Sequence, residues 1–223
     1  MNPTETIQKS RIFIVDDHPV MRRGLSQIID DLDDMEICGD ASEMNEALHR
    51  IEELRPNAVV IDISLGDGNG IELIKQIKSA MPDTRMLVCS MHDESLFAER
   101  AMRAGALGYV NKTEDTETFL TALRRVLDGK IHLSQRMTDR MLQQVAGGHD
   151  EDIHRSPIER LSDREIEVFE MIGHGLITKQ IAAKLALSPK TVETYRENIK
   201  AKLNLRNGSE LTRHAVQWVL EQG

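Results

Sequence analysis

The chain has no long apolar segment. Hydrophobic residues make up 40% of its 223 residues and charged residues 29%, yet no apolar run approaches the roughly 20 residues that a membrane-spanning helix needs. Residues 1–5 carry no basic cluster followed by an apolar stretch, so a secretory signal is not predicted. We therefore expect a soluble, cytoplasmic protein without a membrane partner.

Cysteine is scarce as well. The two cysteines, Cys38 and Cys89, both lie in apolar segments with a strand-like pattern. Such a pair is typical of buried free thiols in a reducing compartment, and not of a disulfide or metal framework.

Basic residues are too few to balance the acidic ones, and the imbalance is local. The net charge is −9 overall, but residues 1–128 carry 14 basic and 24 acidic side chains, whereas residues 161–223 carry 9 and 8. An acidic body joined to a near-neutral tail predicts two domains with different partners. The acidic total therefore does not exclude nucleic acid as a partner of the tail.

Hydrophobic periodicity divides residues 1–128 into five strands that alternate with five helices. The wholly apolar run 58–61 suits a central strand covered on both faces. The alternation predicts an α/β fold with a doubly wound, five-stranded parallel sheet. The strands are expected at residues 11–15, 36–38, 58–61, 86–89 and 107–110.

The rest of the chain divides into a linker and a small domain. Residues 129–159 are predicted to be a linker with a short helix, flexible over residues 147–157. Residues 160–223 are predicted to form an all-α domain of four helices.

Helix-start signals support the four tail helices. Ser162 opens the first with a capping box, and Ser188 followed by Pro189 is a strong start for the third. Thr178 and Ser209 are expected to cap the second and the fourth. The short second helix, a tight turn and the third helix form a helix-turn-helix pattern.

Polar side chains stand at the ends of four predicted strands. Asp16 and Asp17 follow the first strand, Asp62 the third, Ser90 the fourth and Lys112 the fifth. Because the carboxyl ends of parallel strands meet at one edge of the sheet, these side chains are expected to line one crevice. Three carboxylates attract a hard divalent cation, for which Mg²⁺ is expected, and a lysine with a hydroxyl suits a phosphoryl group.

The first part of the chain resembles the receiver domain of two-component response regulators. The similar segments are residues 14–19 (Ile-Val-Asp-Asp-His-Pro), 60–62 (Val-Ile-Asp), 89–91 (Cys-Ser-Met) and 108–112 (Gly-Tyr-Val-Asn-Lys). The resemblance implies a flavodoxin-like fold. It also implies that Asp62 is the phosphoacceptor, which attacks a phosphohistidine on a sensor histidine kinase.

The resemblance also assigns roles to the neighbours of Asp62. Ser90 would hydrogen-bond the phosphoryl group and Lys112 would pair with it. Tyr109 would be the switch aromatic, which rotates inward when Ser90 is drawn to the phosphoryl oxygen. The implied magnesium site consists of Asp17, Asp62, the backbone carbonyl of Ser64 and, through a bound water, Asp16.

Some positions depart from the family pattern or carry a less specific signal. The family commonly has proline where Gly66 stands, so this loop is expected to be more permissive. Thr113 replaces a proline that often follows the lysine, and a cis bond at Lys112–Thr113 would cost about 3 kcal/mol. His18 and His92 are expected to be local structural residues and not ligands.

The tail resembles the LuxR-type DNA-binding domain. The similar segments are residues 161–165 (Leu-Ser-Asp-Arg-Glu), 175–182 (Gly-Leu-Ile-Thr-Lys-Gln-Ile-Ala) and 187–195 (Leu-Ser-Pro-Lys-Thr-Val-Glu-Thr-Tyr). With the receiver in front, the whole chain is similar to the NarL/FixJ response regulators. The resemblance implies that the third tail helix recognises double-stranded DNA and that the fourth forms a homodimer contact in the active state.

Outward side chains of the helix-turn-helix are expected to contact the duplex. Basic residues would bind phosphates, and Glu193 or Glu197 could accept a hydrogen bond from cytosine N4. The predicted contacts are Lys179, Lys190, Thr191, Glu193, Thr194, Arg196, Glu197 and Lys200.

The leading hypothesis is a transcription regulator whose dimerisation and DNA binding are controlled by phosphorylation, with RNA polymerase as a candidate partner and no enzymatic turnover. One alternative is an aspartate-nucleophile phosphatase. That chemistry requires a carboxylate two residues after the nucleophile, where Ser64 stands. The other alternative is a regulator whose tail binds protein and no DNA.

Overall fold

A computed structural model describes residues 9–66, 68–146 and 157–222 of the chain. The chain divides into two compact units, Met1–Met141 and Leu142–Gly223. The boundary between them falls inside the segment predicted as a linker.

The first unit is a five-stranded parallel sheet in the order β2-β1-β3-β6-β7, which confirms the predicted fold class. Its strands and an accompanying hairpin are β1 (Ser10–Val15), β2 (Met35–Ala41), β3 (Ala58–Ile61), β4 (Ser64–Leu65), β5 (Gly68–Asn69), β6 (Arg85–Ser90) and β7 (Gly108–Asn111). Its helices are α1 (Pro19–Asp30), α2 (Met44–Leu54), α3 (Gly70–Ala80), α4 (Glu94–Ala104) and α5 (Thr116–Leu127).

Strand β3 lies at the centre of the sheet, between β1 and β6, as its composition predicts. Its four residues are at most 1% exposed, because side chains on both faces of a central parallel strand are covered by helices. The residue that follows, Asp62, therefore emerges from the best-buried strand of the unit.

The residues after Asp62, where the sequence predicts a glycine-rich loop, include two short strands. Strands β4 and β5 pair as a small antiparallel hairpin, with Ser64 opposite Asn69. The Asn69 side chain then caps α3 by accepting the N–H of Ile71. At Gly70 the chain passes so close to the loop that a Cβ atom would lie 2.0 Å from the backbone oxygen of Asp62.

The first part of the predicted linker packs on the sheet. The backbone of His132 donates to Leu107 and accepts from Tyr109, so this segment runs along the edge strand β7. The predicted short helix follows as α6 (Gln135–Ala146), whose Met137 is 2% exposed. The predicted flexible stretch 147–157 lies, apart from Pro157, outside the described residues.

The second unit contains a 3-10 turn (Pro157–Arg160) and the helices α7 (Asp163–Gly173), α8 (Thr178–Lys184), α9 (Pro189–Leu203) and α10 (Gly208–Gln222). The predicted capping box of Ser162 and the start at Ser188 with Pro189 are confirmed. The other two predicted caps are wrong. Ile177 is the N-cap of α8, and the Asn207 side chain, not Ser209, accepts a first-turn N–H in α10.

A small core holds the tail helices together. The rings of Phe169 on α7 and Trp218 on α10 lie 5.5 Å apart. Lys202 near the end of α9 donates to the buried carboxylate of Glu165 at 2.6 Å. Burial alone would raise the pKa of Glu165, but Lys202 and the N–H of Ser162 outweigh it and lower the pKa.

Three further expectations concern the cysteines, the peptide bonds and membranes. Cys89 is buried, which raises the pKa of its thiol to about 12, but Cys38 is only half-buried; both are free. The Lys112–Thr113 bond is trans, as is every other peptide bond in the described residues. Among those residues, every helix is too short or too polar to span a membrane.

Replacing two glycines by alanine is predicted to change the stability of the protein in opposite directions. Gly70→Ala should destabilise the protein by about 3 kcal/mol or more, because the added methyl group meets a backbone oxygen that cannot move aside. Gly24→Ala should stabilise α1 by about 0.5–1 kcal/mol, because a Cβ there meets no atom within 4 Å. Urea unfolding followed by circular dichroism measures both. Equal stability of the two variants would contradict the close approach at Gly70.

Candidate acidic site and nucleic-acid interface

The predicted strand-end residues converge on Asp62. The Ser90 hydroxyl donates to Asp62 Oδ1 at 2.7 Å, and Lys112 Nζ donates to Asp62 Oδ2 at 2.6 Å. Ser90 ends β6 and Lys112 follows β7, so three strands contribute to one buried cluster. Each oxygen of the Asp62 carboxylate thus accepts a hydrogen bond from a different neighbouring segment, Oδ1 from the end of β6 and Oδ2 from the residue after β7.

Lys112 also binds a second carboxylate. Its Nζ lies 2.7 Å from Asp16 Oδ2, and the side chains of Lys112 and Asp16 are 2% and 3% exposed. Burial alone would lower the pKa of Lys112, but Asp62 and Asp16 outweigh it and raise the pKa. One permanent cation therefore lies between two buried carboxylates.

Asp17 brings a further carboxylate to the cluster without a matching donor. Its Oδ1 atom is buried and lies 2.7 Å from His18 Nδ1, but it has no hydrogen-bond partner among the described residues. Burial raises the pKa of Asp17, and the nearby charges of Asp62 and Asp16 raise it further, although His18 opposes them. The site thus holds an unsatisfied oxygen that a cation would stabilise.

The donor set fits a hard divalent ion. One ligand atom from each of Asp16, Asp17, His18 and Asp62 lies within 4.8 Å of the others. Three of the four are carboxylate oxygens, which Mg²⁺ prefers. His18, predicted to be a local structural residue, belongs to this cluster.

A second set of contacts surrounds His92, at the loop that follows β6. Tyr109 is 2% exposed, and its hydroxyl donates to the His92 carbonyl at 2.9 Å, so the ring already points inward. The Ser64 hydroxyl and His92 Nε2 lie 2.7 Å apart. His92 therefore links the loop after Asp62 to Tyr109. The sequence predicted only a local structural residue at this position.

Arg22 on α1 was not predicted as a site residue. Its Nη1 donates to the backbone oxygen of Asp16 at 2.5 Å, and its Nε donates to Asp40 Oδ2 at 3.0 Å. Its sequence position gives no signal of these contacts, because both depend on how α1 lies over the loop. Arg22 fixes the loop that carries the first two carboxylates.

The helix-turn-helix places the predicted DNA contacts on one helix, apart from Lys179 on α8. Val192 and Ile199 are fully buried, so the opposite face of α9 is turned outward. Lys190, Glu193, Thr194 and Glu197 are exposed there, whereas Thr191, Arg196 and Lys200 are half-buried.

The two glutamates of this face have different partners. Glu193 Oε1 accepts a hydrogen bond from the Thr178 hydroxyl of α8 at 2.6 Å, and its Oε2 lies 3.7 Å from Arg196 Nε. Glu197 pairs with Lys200 on its own helix at 2.8 Å. Thr178, expected to cap α8, instead joins the two helices of the motif.

Two family models match the chain. Residues 12–124 match the response regulator receiver domain. Residues 159–215 match the bacterial regulatory proteins of the luxR family.

Two relatives align with the chain over nearly its whole length. The oxygen regulatory protein NreC of Staphylococcus carnosus (strain TM300) is 33% identical over 210 residues, covering 93% of this chain and 97% of that protein. NreC of Staphylococcus haemolyticus (strain JCSC1435) is also 33% identical over 210 residues, with the same coverage.

Solved structures show the same fold. A LuxR-family two-component response regulator from Aurantimonas sp. SI85-9A1 is 31% identical, with a TM-score of 0.58 over 62% of this chain and 99% of that one. RcsB from Salmonella enterica serovar Typhimurium, solved on promoter P1flhDC with the phosphomimetic BeF3-, is 23% identical, with a TM-score of 0.61 over 93% of this chain and 98% of that one.

The raised pKa of Asp17 generates a prediction about metal and pH. A raised carboxyl pKa means that the ionised form is disfavoured in the folded state, so without metal Asp17→Asn should be more stable than wild type at neutral pH. This gain should disappear as the pH falls through about 4, where the carboxyl becomes neutral in either state. Mg²⁺ should raise the thermal midpoint of the wild type but hardly that of Asp17→Asn.

Asp34→Asn is the matched control, because Asp34 lies on the surface and Arg124 lowers the pKa of its carboxyl. It should lose a little stability at neutral pH and keep the full response to Mg²⁺. Thermal unfolding at graded Mg²⁺, with a chelator as the zero point, measures both variants. An equal Mg²⁺ response in Asp17→Asn would contradict the assignment of Asp17 as a ligand.

Proposed function

The chain belongs to the two-component response regulators of the NarL/FixJ type, which join a receiver domain to a LuxR-type DNA-binding domain, and from this premise we propose that Asp62 receives the phosphoryl group. The chain is therefore a regulator of transcription and not an enzyme. Its receiver implies a histidine kinase as partner, and its tail implies double-stranded DNA. The phosphatase and the purely protein-binding tail are set aside by this membership.

The choice of Asp62 over its two acidic neighbours rests on the donors around each carboxylate. Asp62 accepts from both Ser90 and Lys112. Asp16 shares only the lysine, and Asp17 contacts neither of them. A phosphoryl group on Asp62 would place its oxygens beside a hydroxyl and an ammonium group that already point there, and this is the observation that carries the proposal.

The transfer itself follows from these positions. An Asp62 carboxylate oxygen attacks the phosphorus of the kinase phosphohistidine, and the imidazole leaves. Lys112 and Ser90, which hydrogen-bond the free carboxylate, then donate their hydrogen bonds to the phosphoryl oxygens instead. Asp17, Asp62 and the backbone carbonyl of Ser64 would hold Mg²⁺, with Asp16 on one of its waters, and the ion would offset the negative charge of the phosphoryl oxygens.

We propose that the signal leaves the site through Ser90 and the His92 loop. Ser90 is two residues from His92, whose carbonyl accepts the Tyr109 hydroxyl, and α4 begins at Glu94. A change at Ser90 therefore reaches the face formed by residues 95–127. Moving a switch from 1:99 to 99:1 needs about 5.5 kcal/mol of differential stabilisation, so partial activity without phosphate is compatible with this scheme.

In the active state, α9 enters the major groove and α10 forms the contact between two copies. Lysines and Arg196 bind phosphates, while the polar side chains of α9 face the bases. The residues proposed to contact DNA are Lys179, Lys190, Thr191, Glu193, Thr194, Arg196, Glu197 and Lys200. Since DNA and the phosphohistidine of the kinase meet in the cytoplasm, we place the protein there. That RNA polymerase is a partner remains a prediction.

Duplex binding and oligomeric state test this proposal. Binding sites are first selected from a random pool of DNA duplexes with the full chain. With Mg²⁺ and acetyl phosphate, the wild type should then form more dimer and bind these duplexes about tenfold tighter or more, which is about 1.4 kcal/mol. Asp62→Ala should show neither gain, and wild-type binding should weaken steeply with salt, because phosphate contacts release counterions.

Asp34→Ala, which removes a surface carboxylate outside the cluster, should respond like the wild type. If Asp62→Ala gains as much affinity from the phosphodonor as the wild type, control through Asp62 is wrong. If the wild type enriches no duplex at all, the DNA-binding role of the tail fails instead.

A further inference from the structure

We infer that Glu193 recognises cytosine, through its N4 amino group in the major groove, and that Thr178 is the positioning residue that holds the glutamate for this contact. The inference rests on the proposed entry of α9 into the groove. It adds which side chain distinguishes bases, which base it selects, and which residue of the preceding helix makes the selection sharp.

The geometry of Thr178 favours a positioning role. It is the first residue of α8, but the N-cap of that helix is Ile177, so the threonine hydroxyl does not serve the helix start. It donates instead across the turn to Glu193 Oε1 at 2.6 Å. The side chain of Glu193 is 55% exposed. Thr178 therefore fixes the orientation of the carboxylate without removing it from solvent.

The other polar groups of this face are less suited to base recognition. The Thr194 hydroxyl donates to the Lys190 carbonyl, and the Thr191 hydroxyl bonds to the Ser188 side chain. Glu197 pairs with Lys200 of its own helix at 2.8 Å, whereas the corresponding contact of Glu193, with Arg196, is longer at 3.7 Å. Among the described residues of α9, Glu193 is thus the carboxylate held by a side chain of another helix.

The chemistry of the base edges selects cytosine. A carboxylate only accepts hydrogen bonds, so it is repelled by the acceptors that guanine and thymine present in the major groove. Adenine offers an amino donor, but its N7 acceptor lies beside it. Cytosine presents the N4 donor without N7. A carboxylate held in one orientation therefore favours cytosine over adenine, whereas a freely rotating one separates them less well.

Base-preference profiles of the phosphodonor-treated full chain test the inference. For the wild type, selection from a random duplex pool should show one position in each half-site that prefers cytosine. Glu193→Ala should lose about tenfold of that preference, and Glu193→Gln should shift it toward adenine, because an amide pairs with N6 and N7 together. Thr178→Val should keep cytosine as the preferred base but weaken the discrimination about threefold.

Three further variants separate positioning from general damage. Thr178→Ser retains the hydroxyl and should restore the wild-type profile. Glu170→Gln on α7, a matched carboxylate change outside the proposed DNA contacts, should leave the whole profile unchanged. Glu197→Gln alters a proposed DNA contact, so it should change the overall affinity for the duplex but not the preference at the cytosine position. Thermal unfolding of each variant confirms that all are compared in the folded state.

A cytosine preference that survives in Glu193→Gln, or that Glu197→Gln removes, would overturn the assignment of Glu193. A Thr178→Val profile identical to the wild type would overturn the positioning role. Failure of the wild type to enrich any duplex would overturn the proposed function together with this inference, and is distinguished from the other outcomes by the absence of any profile.

Discussion

The buried contact of Lys112 with Asp16 and Asp62 is the constraint on which the receiver depends. Three carboxylates gathered at the carboxyl ends of apolar strands would repel one another, and an unpaired buried charge is strongly disfavoured. One lysine, brought by the last strand of the sheet, offsets two of them. The sheet order that places β7 beside β6, and β6 beside β3, is therefore also the condition for assembling the site.

This arrangement explains why the site is both stable and ready to react. Asp62 is satisfied by donors in its resting form, whereas Asp17 keeps a buried oxygen without a hydrogen bond among the described residues. The first feature holds the phosphoacceptor in place, and the second leaves an attraction for a cation. Arg22 supports both, because it holds the backbone of the loop that carries Asp16 and Asp17.

The sequence predicted the sheet and the convergence of five side chains, because strand periodicity and the position of each polar residue at a strand end are local signals. It failed where a tertiary contact decides the local structure. Thr178 has the usual identity of a cap, yet its hydroxyl binds a glutamate 15 residues away. The hairpin after Asp62 depends on pairing between residues that periodicity treats as loop. The contact of Arg22 with Asp16 required knowing how α1 lies over the loop.

The segment after α5 has a consequence for how copies of this protein can associate. His132 pairs with the outward backbone groups of β7, the strand at one margin of the sheet. An open margin invites a strand from another molecule, and its coverage removes that template. Two receivers therefore cannot fuse their sheets along this part of β7 unless the segment first peels away. The same few backbone hydrogen bonds thus protect against edge-to-edge aggregation from this side of the sheet.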